Sequence, residues 1–167
     1  MNVSEVVKAT GITPSASYAG IEMADDFILA IKTGSGQAKE TDYIVCQDHI
    51  KGHPASLNPA TKDANYVRTG KATSKTGNQR SFAVEGDRCV GDPFQDFILS
   101  NKIKYGTGAD VEVPYVWFSI RTGNGEKGVV TIIVNDDAGG NPGDNASFKA
   151  DLKATGTPTE YTYSAGV

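Results

Sequence analysis

The sequence predicts a mainly β protein: an antiparallel β-sandwich or barrel with one short flanking α-helix at about residues 92–104. Three observations predict this class. Nineteen glycines, among many threonines, serines and asparagines, are typical of a chain with many turns. Short extended runs recur, whereas only one segment has strong helical periodicity. Apolar residues make up 38% of the 167 residues and no linker interrupts them, so we expect one domain over residues 1–167.

The first predicted elements are an arm and a strand. Residues 1–20 are small and polar, so we predict an N-terminal arm outside the core. Residues 27–32 are predicted to form a strand because a Gly-Ser-Gly turn follows at once. A helical stripe is the alternative for this region, and its apolar positions are Ile21, Ala24, Ile28 and Ile31.

A long connection is predicted between the next two strands. Residues 41–50 are β-rich, and residues 51–66 then combine two prolines with small polar residues in no periodic pattern. We interpret 51–66 as a loop, and loops of this length inside a domain are usually functional. Extended structure resumes over 67–86, where Phe82 and Val84 are predicted to share one face.

The single predicted helix has clear boundary signals. Asp92 is a suitable N-cap, and Pro93 suits the first helical position, where its missing N–H is not needed. Gly106 follows at the point where the helix must end. Three apolar residues with helical spacing predict a buried stripe: Phe94, Phe97 and Ile98.

The second half of the chain is predicted to contain a hairpin. Residues 111–123 and 127–136 are β runs, and Gly123 or Gly125 is expected to supply a positive φ in the turn between them. Pro114 predicts that the first run lies at a sheet edge or begins late, because proline cannot donate to the ladder.

The last predicted strand alternates cleanly over residues 147–156. Its inward side chains are predicted to be Phe148, Ala150, Leu152 and Ala154. Residues 157–167 are interpreted as an exposed, extended C-terminal arm.

Charge and composition argue against several functions. The formal net charge is −4, from 16 basic and 20 acidic side chains, whereas specific nucleic-acid binders usually carry a basic face. The apolar runs at 27–31 and 113–118 are too short to span a bilayer, so we expect no membrane insertion. Two cysteines make no disulfide framework, and no signal peptide is recognised, so we expect the protein to be made in and kept in a reducing cytoplasm.

One cluster has metal-ligand residue types. Cys46, His49 and His53 form a C-x2-H-x3-H pattern, but a structural zinc site needs a fourth ligand and none lies nearby in sequence. Cys46 lies in an apolar run, which predicts burial and argues against a thiol nucleophile. No phosphate-binding loop, nucleophile elbow or dinucleotide fingerprint is present. We therefore predict no catalytic site, no cofactor and no enzymatic activity, and keep the three residues only as weak metal candidates.

Basic residues are concentrated in residues 67–80 without interleaved aromatic residues, which is a poor platform for nucleic acid. The predicted alternatives are a solvated hairpin and charge pairing with an acidic neighbouring subunit. The four residues are Arg68, Lys71, Lys75 and Arg80.

The order of these parts resembles the major tail tube proteins of long, non-contractile-tailed bacteriophages. Three stretches carry the resemblance and cover most of residues 41–163: TDYIVCQDHIKGHPASLNPATKDANYVRTGKATSKTG, RSFAVEGDRCVGDPFQDFILSNKIKYGTG and NDDAGGNPGDNASFKADLKATGTPTEYTY. Inner tube proteins of contractile tails and of related injection machines share this fold and remain an alternative.

The resemblance implies a structural subunit of hexameric rings that stack into a hollow tube, through which DNA passes without specific binding. It implies that the chain's partners are further copies of itself, a tape measure protein inside the tube, and tail terminator and distal tail proteins at its ends. The location would be the virion tail, assembled in the cytoplasm of a bacterial host.

The resemblance also implies residue roles. Residues 47–78 would be the loop that reaches an adjacent subunit or ring. The candidate contacts in it are His49, Lys51, His53, Leu57, Asn58, Lys62, Tyr66, Lys71 and Lys75. Acidic residues in β runs are candidates for lining the lumen, where they would repel DNA phosphates: Asp42, Asp48, Glu85 and Glu112.

Two functions of other classes remain open at this point. A β-sandwich binding module of a phage accessory protein would use exposed aromatic anchors, for which Trp117, Tyr161 and Tyr163 are candidates. Trp117 lies in an apolar strand, which favours a core position instead. A metalloenzyme would use the Cys46, His49 and His53 cluster.

Overall fold

A computed structural model of the chain describes residues 1–165, and those residues form ten β-strands and three α-helices. The strands are β1 (Phe27–Ile31), β2 (Ile44–Val45), β3 (Ile50–Gly52), β4 (Ala55–Ser56), β5 (Ala60–Tyr66), β6 (Gly70–Gly77), β7 (Ser81–Asp87), β8 (Glu112–Ser119), β9 (Asn124–Gly139) and β10 (Ser147–Thr162). The helices are α1 (Val3–Thr10), α2 (Pro93–Ile98) and α3 (Asn101–Tyr105).

Eight strands form one curled antiparallel sheet in the order β2-β1-β8-β9-β10-β7-β3, with β4 also paired to β7. Strands β5 and β6 pair only with each other. The prediction of a mainly antiparallel β fold is confirmed, and the strand prediction for 27–32 is confirmed over Phe27–Ile31.

The main core lies between one face of this sheet and the helices α2 and α3. Strand β10 supplies the four side chains predicted from its alternation, all of them buried. Phe82 and Val84 of β7 point into the same core, also as predicted. Alternation is a reliable signal in these strands because one face is buried and the other is open to solvent.

A second cluster lies on the opposite face of β1 and β8, beneath helix α1. Val3, Val6 and Val7 are buried there, so the prediction of an N-terminal arm over residues 1–20 is wrong for its first half. A capping box starts the helix, in which Asn2 accepts from the backbone N–H of Glu5 and the Glu5 carboxylate accepts from the N–H of Asn2.

The predicted helix at 92–104 is two helices. Asp92 accepts from the N–H of Gln95 and Pro93 is the first helical residue, as predicted. The chain leaves helical geometry at Leu99, and the hydroxyl of Ser100 donates to the carbonyl of Phe97. With α1, the described residues contain three α-helices, so the prediction of a single helix is wrong.

The predicted hairpin is confirmed as β8 and β9. Gly123 has the positive φ of 76°, whereas Gly125 serves close packing: a Cβ there would lie 2.0 Å from the carbonyl oxygen of Trp117. Strand β8 lies between β1 and β9, so the prediction from Pro114 is wrong. The carbonyl of Pro114 accepts from the backbone N–H of Lys32, just past the last residue pair between β1 and β8. The N–H that proline lacks would therefore face a position where the ladder between these strands has ended.

The C-terminal arm predicted over 157–167 is mostly part of the sheet. Strand β10 continues to Thr162, and Tyr161 and Tyr163 are buried against Phe118. Burial raises the pKa of Tyr161 to about 12. Residues 166 and 167 of the predicted arm lie outside the described residues.

Candidate assembly surfaces

The segment predicted to be a loop is a β-hairpin. Strands β5 and β6 pair from Ala60–Gly77 to Tyr66–Gly70 and are joined by a three-residue turn. The prediction of an irregular loop over 51–66 is therefore wrong: this segment contains β3, β4 and β5. Periodicity failed here because both faces of the hairpin are polar, so neither face carries an apolar pattern.

Beyond its base, the hairpin has no packing against the rest of residues 1–165. Every residue of β5 and β6 is exposed except Ala64, which is half-buried. At the tip, Tyr66 is 59% exposed and Val67 is 90% exposed. An isolated two-stranded hairpin is marginally stable in water. A hairpin with no packing inside its own subunit is therefore a strong candidate for contact with another molecule.

The base of the hairpin is firmly attached to the sheet. Gln79 donates its N–H to the carbonyl of Leu57 at 2.8 Å, and the side-chain amide of Asn58 donates to the hydroxyl of Ser81 at 2.8 Å. Arg80 makes two hydrogen bonds to the Glu126 carboxylate. These contacts fix where the hairpin leaves the subunit, while its strands remain free to contact a partner.

The guanidinium of Arg80 also lies over the ring of Trp117, 4.8 Å from the ring centroid. That indole also stacks on the ring of Phe27, at 4.9 Å between centroids. Trp117 is therefore half-buried between two side chains, and Tyr161 and Tyr163 are buried, so the prediction that these three are exposed anchors is wrong.

The predicted contact residues lie in two groups. Lys62, Tyr66, Lys71 and Lys75 are exposed on the hairpin, and Leu57 and Asn58 lie exposed at its base. The remaining three precede the hairpin along the chain, where His49 and Lys51 are exposed and His53 is half-buried. Burial lowers the pKa of His53.

Across β7, β10, β9 and the start of β8, one face of the sheet is not covered by any helix of the described residues, whereas α1 covers the same face at β1 and the rest of β8. Directly paired residues in antiparallel strands place their side chains on the same face. Glu112 pairs with Thr131, and Thr131 pairs with Lys153, while Glu85 pairs with Lys149 in the neighbouring strands. This face is opposite the buried residues of β10 and lies across β7, β10, β9 and the start of β8.

Two of the four predicted lumen acids lie on this uncovered face. Glu85 and Glu112 are exposed there, and Lys149 lies 3.9 Å from the Glu85 carboxylate. Asp42 lies in a 3-10 turn and Asp48 in a turn between β2 and β3, so the placement of these two in β runs is wrong.

The longest strands have unpaired edges on opposite sides of the sheet. On β9, pairing with β8 ends at Thr131, so within residues 1–165 the segment 132–139 has no strand on the side away from β10; α3 contacts β9, and Lys104 pairs with Asp137 there. On β10, pairing with β7 ends at Lys153, and beyond a bulge residues 159–162 have no strand on that side within residues 1–165. Open edges of this kind are templates for pairing with another chain.

The direction of the backbone groups on β9 follows from one hydrogen bond. Ala154, opposite Val130, donates its N–H to the carbonyl of Arg80, away from β9. Val130 of β9 therefore directs its N–H away from β10, and so does every second residue along β9. Val134 is one of these residues, and it lies where β9 has no strand on that side.

The metal candidates form no recognisable site. Cys46 is buried, as predicted, and burial raises the pKa of its thiol well above the ordinary value. Within residues 1–165 no three His, Cys, Asp or Glu side chains are grouped so that they could hold a metal ion, so Cys46, His49 and His53 are not brought together as ligands.

A cleft of about 530 Å³ lies between the start of β1 and the chain from Ile50 to Ala55. Phe27, Trp117 and Pro54 contribute to its lining. The indole N–H of Trp117 is buried and has no hydrogen-bond partner.

No helix in the described part of the chain is long and apolar enough to cross a bilayer.

Solved structures share this fold. No protein-family model matches the sequence, and no curated protein matches it. The chain is similar to a protein in the tail of an empty gene transfer agent particle refined with C6 symmetry, with a TM-score of 0.57, 15% identity, and coverage of 86% of this chain and 100% of that one. It is also similar to a protein in the virion of a native gene transfer agent particle, with a TM-score of 0.55, 13% identity, and coverage of 85% of this chain and 100% of that one.

At this identity the likeness is one of fold. The chain is therefore a mainly β protein with the fold of proteins found in gene transfer agent particles.

Proposed function

We propose that the protein is a structural subunit of a phage tail tube, assembled as stacked rings with six subunits each. The observation that carries the proposal is the pair of unpaired sheet edges on opposite sides of one subunit. Opposite, non-identical edges support head-to-tail association, which closes into a ring when the rotation between copies allows it. The likeness to a protein in a tail refined with C6 symmetry supports sixfold closure.

In the proposed ring, the edge of β9 at 132–139 of one copy joins the opposite side of the next copy. That side is bounded by β3, β4 and the last residues of β10. Each junction would satisfy backbone groups that a single subunit leaves open to water. The result is one continuous sheet around the ring.

The uncovered face of the sheet is proposed to line the channel. The opposite face is occupied by the core and by α2 and α3, so it lies outward. Glu85, Glu112 and Asp151 would face the lumen, together with Lys149 and Lys153. A lumen of mixed charge without a basic excess would neither bind DNA phosphates tightly nor demand a specific sequence, so DNA would pass through it.

The β5–β6 hairpin is proposed to contact a subunit of an adjacent ring. Contact with a second copy would supply the packing that the hairpin lacks in its own subunit. The same proposal implies a location in the virion tail after assembly in the host cytoplasm. A tape measure protein inside the channel and terminator and distal tail proteins at its ends are proposed as further partners. No catalytic role is proposed.

A second candidate is supported by the cleft beside Trp117. The unsatisfied indole N–H and the Phe27 ring could hold a small ligand or a peptide in a monomeric binding module. That function requires no self-association.

Sedimentation velocity over a wide range of protein concentration separates the two candidates. A tube subunit is expected to form species much larger than a monomer as concentration rises, and a Val134→Pro variant, which loses an outward N–H at the β9 edge, is expected to remain smaller. A wild-type chain that stays monomeric throughout would contradict the tube proposal.

A further inference from the structure

The hairpin and the rest of the subunit carry opposite charge. Residues 60–77 contain four basic and one acidic side chain, a net charge of +3. The remainder of the chain contains 12 basic and 19 acidic side chains, a net charge of −7. The net charge of −4 for the whole chain therefore hides a basic projection on an acidic body.

Most of the hairpin's positive charge is available to a partner. Lys71 is paired with Asp63 at 2.8 Å, within the hairpin itself. Lys62, Arg68 and Lys75 take part in none of the ion pairs formed by residues 1–165, and all three are exposed. The hairpin's own subunit does not neutralise these three cations.

The two charges lie at opposite ends of strand β7. The hairpin joins the sheet at Ser81, whereas the β9–β10 connection meets Asp87 at the other end, through the Ser147–Asp87 pair. Seven residues of strand separate the two ends by about 20 Å. Aspartates dominate the surface at the end near Asp87: Asp48, Asp87, Asp96, Asp136, Asp137 and Asp144. Among the ion pairs formed by residues 1–165, those with Lys51, Arg88 and Lys104 engage three of these six.

We propose that the basic hairpin of one copy binds the acidic end of a second copy in the adjacent ring, so that ring stacking is controlled by salt whereas ring closure is not. The inference rests on the proposed function, because stacking places one end of a subunit against the opposite end of another. Because the hairpin is basic and the far end of the subunit is acidic, the partner that the hairpin binds is a second copy of this chain.

The two kinds of contact should respond differently to salt because their chemistry differs. Exposed ion pairs are screened as the Debye length falls from about 10 Å at 0.1 M to about 3 Å at 1 M ionic strength. Backbone pairing at the sheet edges does not depend on net charge. Raising the NaCl concentration from about 0.05 M to about 1 M is therefore expected to convert tubes into separate rings.

Nucleic acid is the less favoured partner for the hairpin. Tyr66 is its only aromatic residue, whereas single-strand binding surfaces combine basic residues with several stacking rings. The body of the protein is acidic and would repel a polyanion.

The test compares two matched double variants by electron microscopy and sedimentation. Lys62→Glu with Lys75→Glu reverses two hairpin cations, and Lys8→Glu with Lys39→Glu makes the same change in net charge at exposed sites outside the hairpin. The hairpin variant is expected to form rings but to weaken the ring–ring contact by about tenfold per subunit, which is the effect of roughly two exposed ion pairs. The control variant is expected to stack like the wild type.

A charge swap gives the proposal its sharpest test. Adding Asp48→Lys with Asp144→Lys to the hairpin variant is expected to restore tubes, because the charges are complementary again and both sites lie outside the β9 edge. Tubes that persist in high salt and in the hairpin variant would overturn electrostatic stacking while leaving ring formation intact. Failure of the wild type to form rings would overturn the proposed function first. Loss of DNA binding in the hairpin variant, with stacking unchanged, would assign the hairpin to nucleic acid and overturn the proposal.

Discussion

Deleting the β5–β6 hairpin separates the fold of this protein from its assembly. The deletion removes Ala60–Gly77 and joins Pro59 to Asn78, whose neighbours are already close because Gln79 hydrogen-bonds to Leu57 at 2.8 Å. No residue of the two buried clusters lies in the deleted segment. The base contacts of Asn58 and Arg80 remain.

The expected effect on stability can be estimated from the length of the connection. The chain between Ser56 and Ser81 shortens from 24 to 6 residues. A fourfold shorter loop lowers the entropic cost of closure by about 1 kcal/mol. Because no apolar burial is lost, the monomer's free energy of unfolding is expected to stay within about 1 kcal/mol of the wild-type value or to rise slightly.

Urea unfolding of dilute protein measures that free energy, and electron microscopy of concentrated protein measures stacking. The deletion variant is expected to fold normally and to form rings that do not stack. Phe148→Ala provides the contrast, because it removes a fully buried ring and is expected to cost about 3–5 kcal/mol. Tubes of ordinary length from the deletion variant would refute the assignment of the hairpin to stacking, and a large loss of stability would refute its independence from the fold.

Three further outcomes are expected. Val134→Pro should leave a folded monomer and abolish ring closure, measured by sedimentation, because it removes an outward N–H at the β9 edge; rings of normal size would contradict this. Arg80→Met should lower the free energy of unfolding by about 2 kcal/mol, measured by thermal or urea unfolding. This is less than for a fully buried ion pair, because the Glu126 side chain is 20% exposed; an unchanged stability would show that the ion pair does not stabilise the fold. Tyr161 has a raised pKa of about 12, so its contribution to stability is complete below pH 10 and is lost as pH rises toward 12. The wild type should therefore lose about 2–3 kcal/mol more than Tyr161→Phe over that range, and identical alkaline profiles would contradict the shift.

The sequence predicted best the elements whose pattern is tied to burial. Phe148, Ala150, Leu152 and Ala154 alternate because one face of β10 contacts the core, and that alternation is visible without a structure. Asp92 and Pro93 predicted the start of α2 because capping is a local interaction. The break at Ser100 was not predicted, because it depends on a hydroxyl returning to the carbonyl of Phe97.

Helix α1 was missed although its signal is present. Asn2 and Glu5 have the spacing of a capping box, Val3, Val6 and Val7 have helical spacing, and Gly11 ends the helix with a φ of 67°. Short length and small side chains concealed it in a segment that otherwise looked like an arm.

The hairpin could not be recognised from periodicity, because a structure exposed on both faces imposes no apolar pattern. The turn V-R-T-G gave the only local signal: three residues followed by Gly70, which has a φ of 77°.

The positions of the four acidic residues predicted to line the lumen could be predicted only in part. Glu85 and Glu112 lie in strands whose register determines a common face, whereas Asp42 and Asp48 lie in turns whose geometry depends on distant packing.

End-on electron micrographs of concentrated wild-type protein at low salt show directly whether the subunits assemble through their sheet edges. Closed rings with sixfold symmetry and a central channel are expected, and in side view they should be stacked into tubes. A population of separate, compact subunits at every concentration, with the β9 edge still open to solvent, would contradict it.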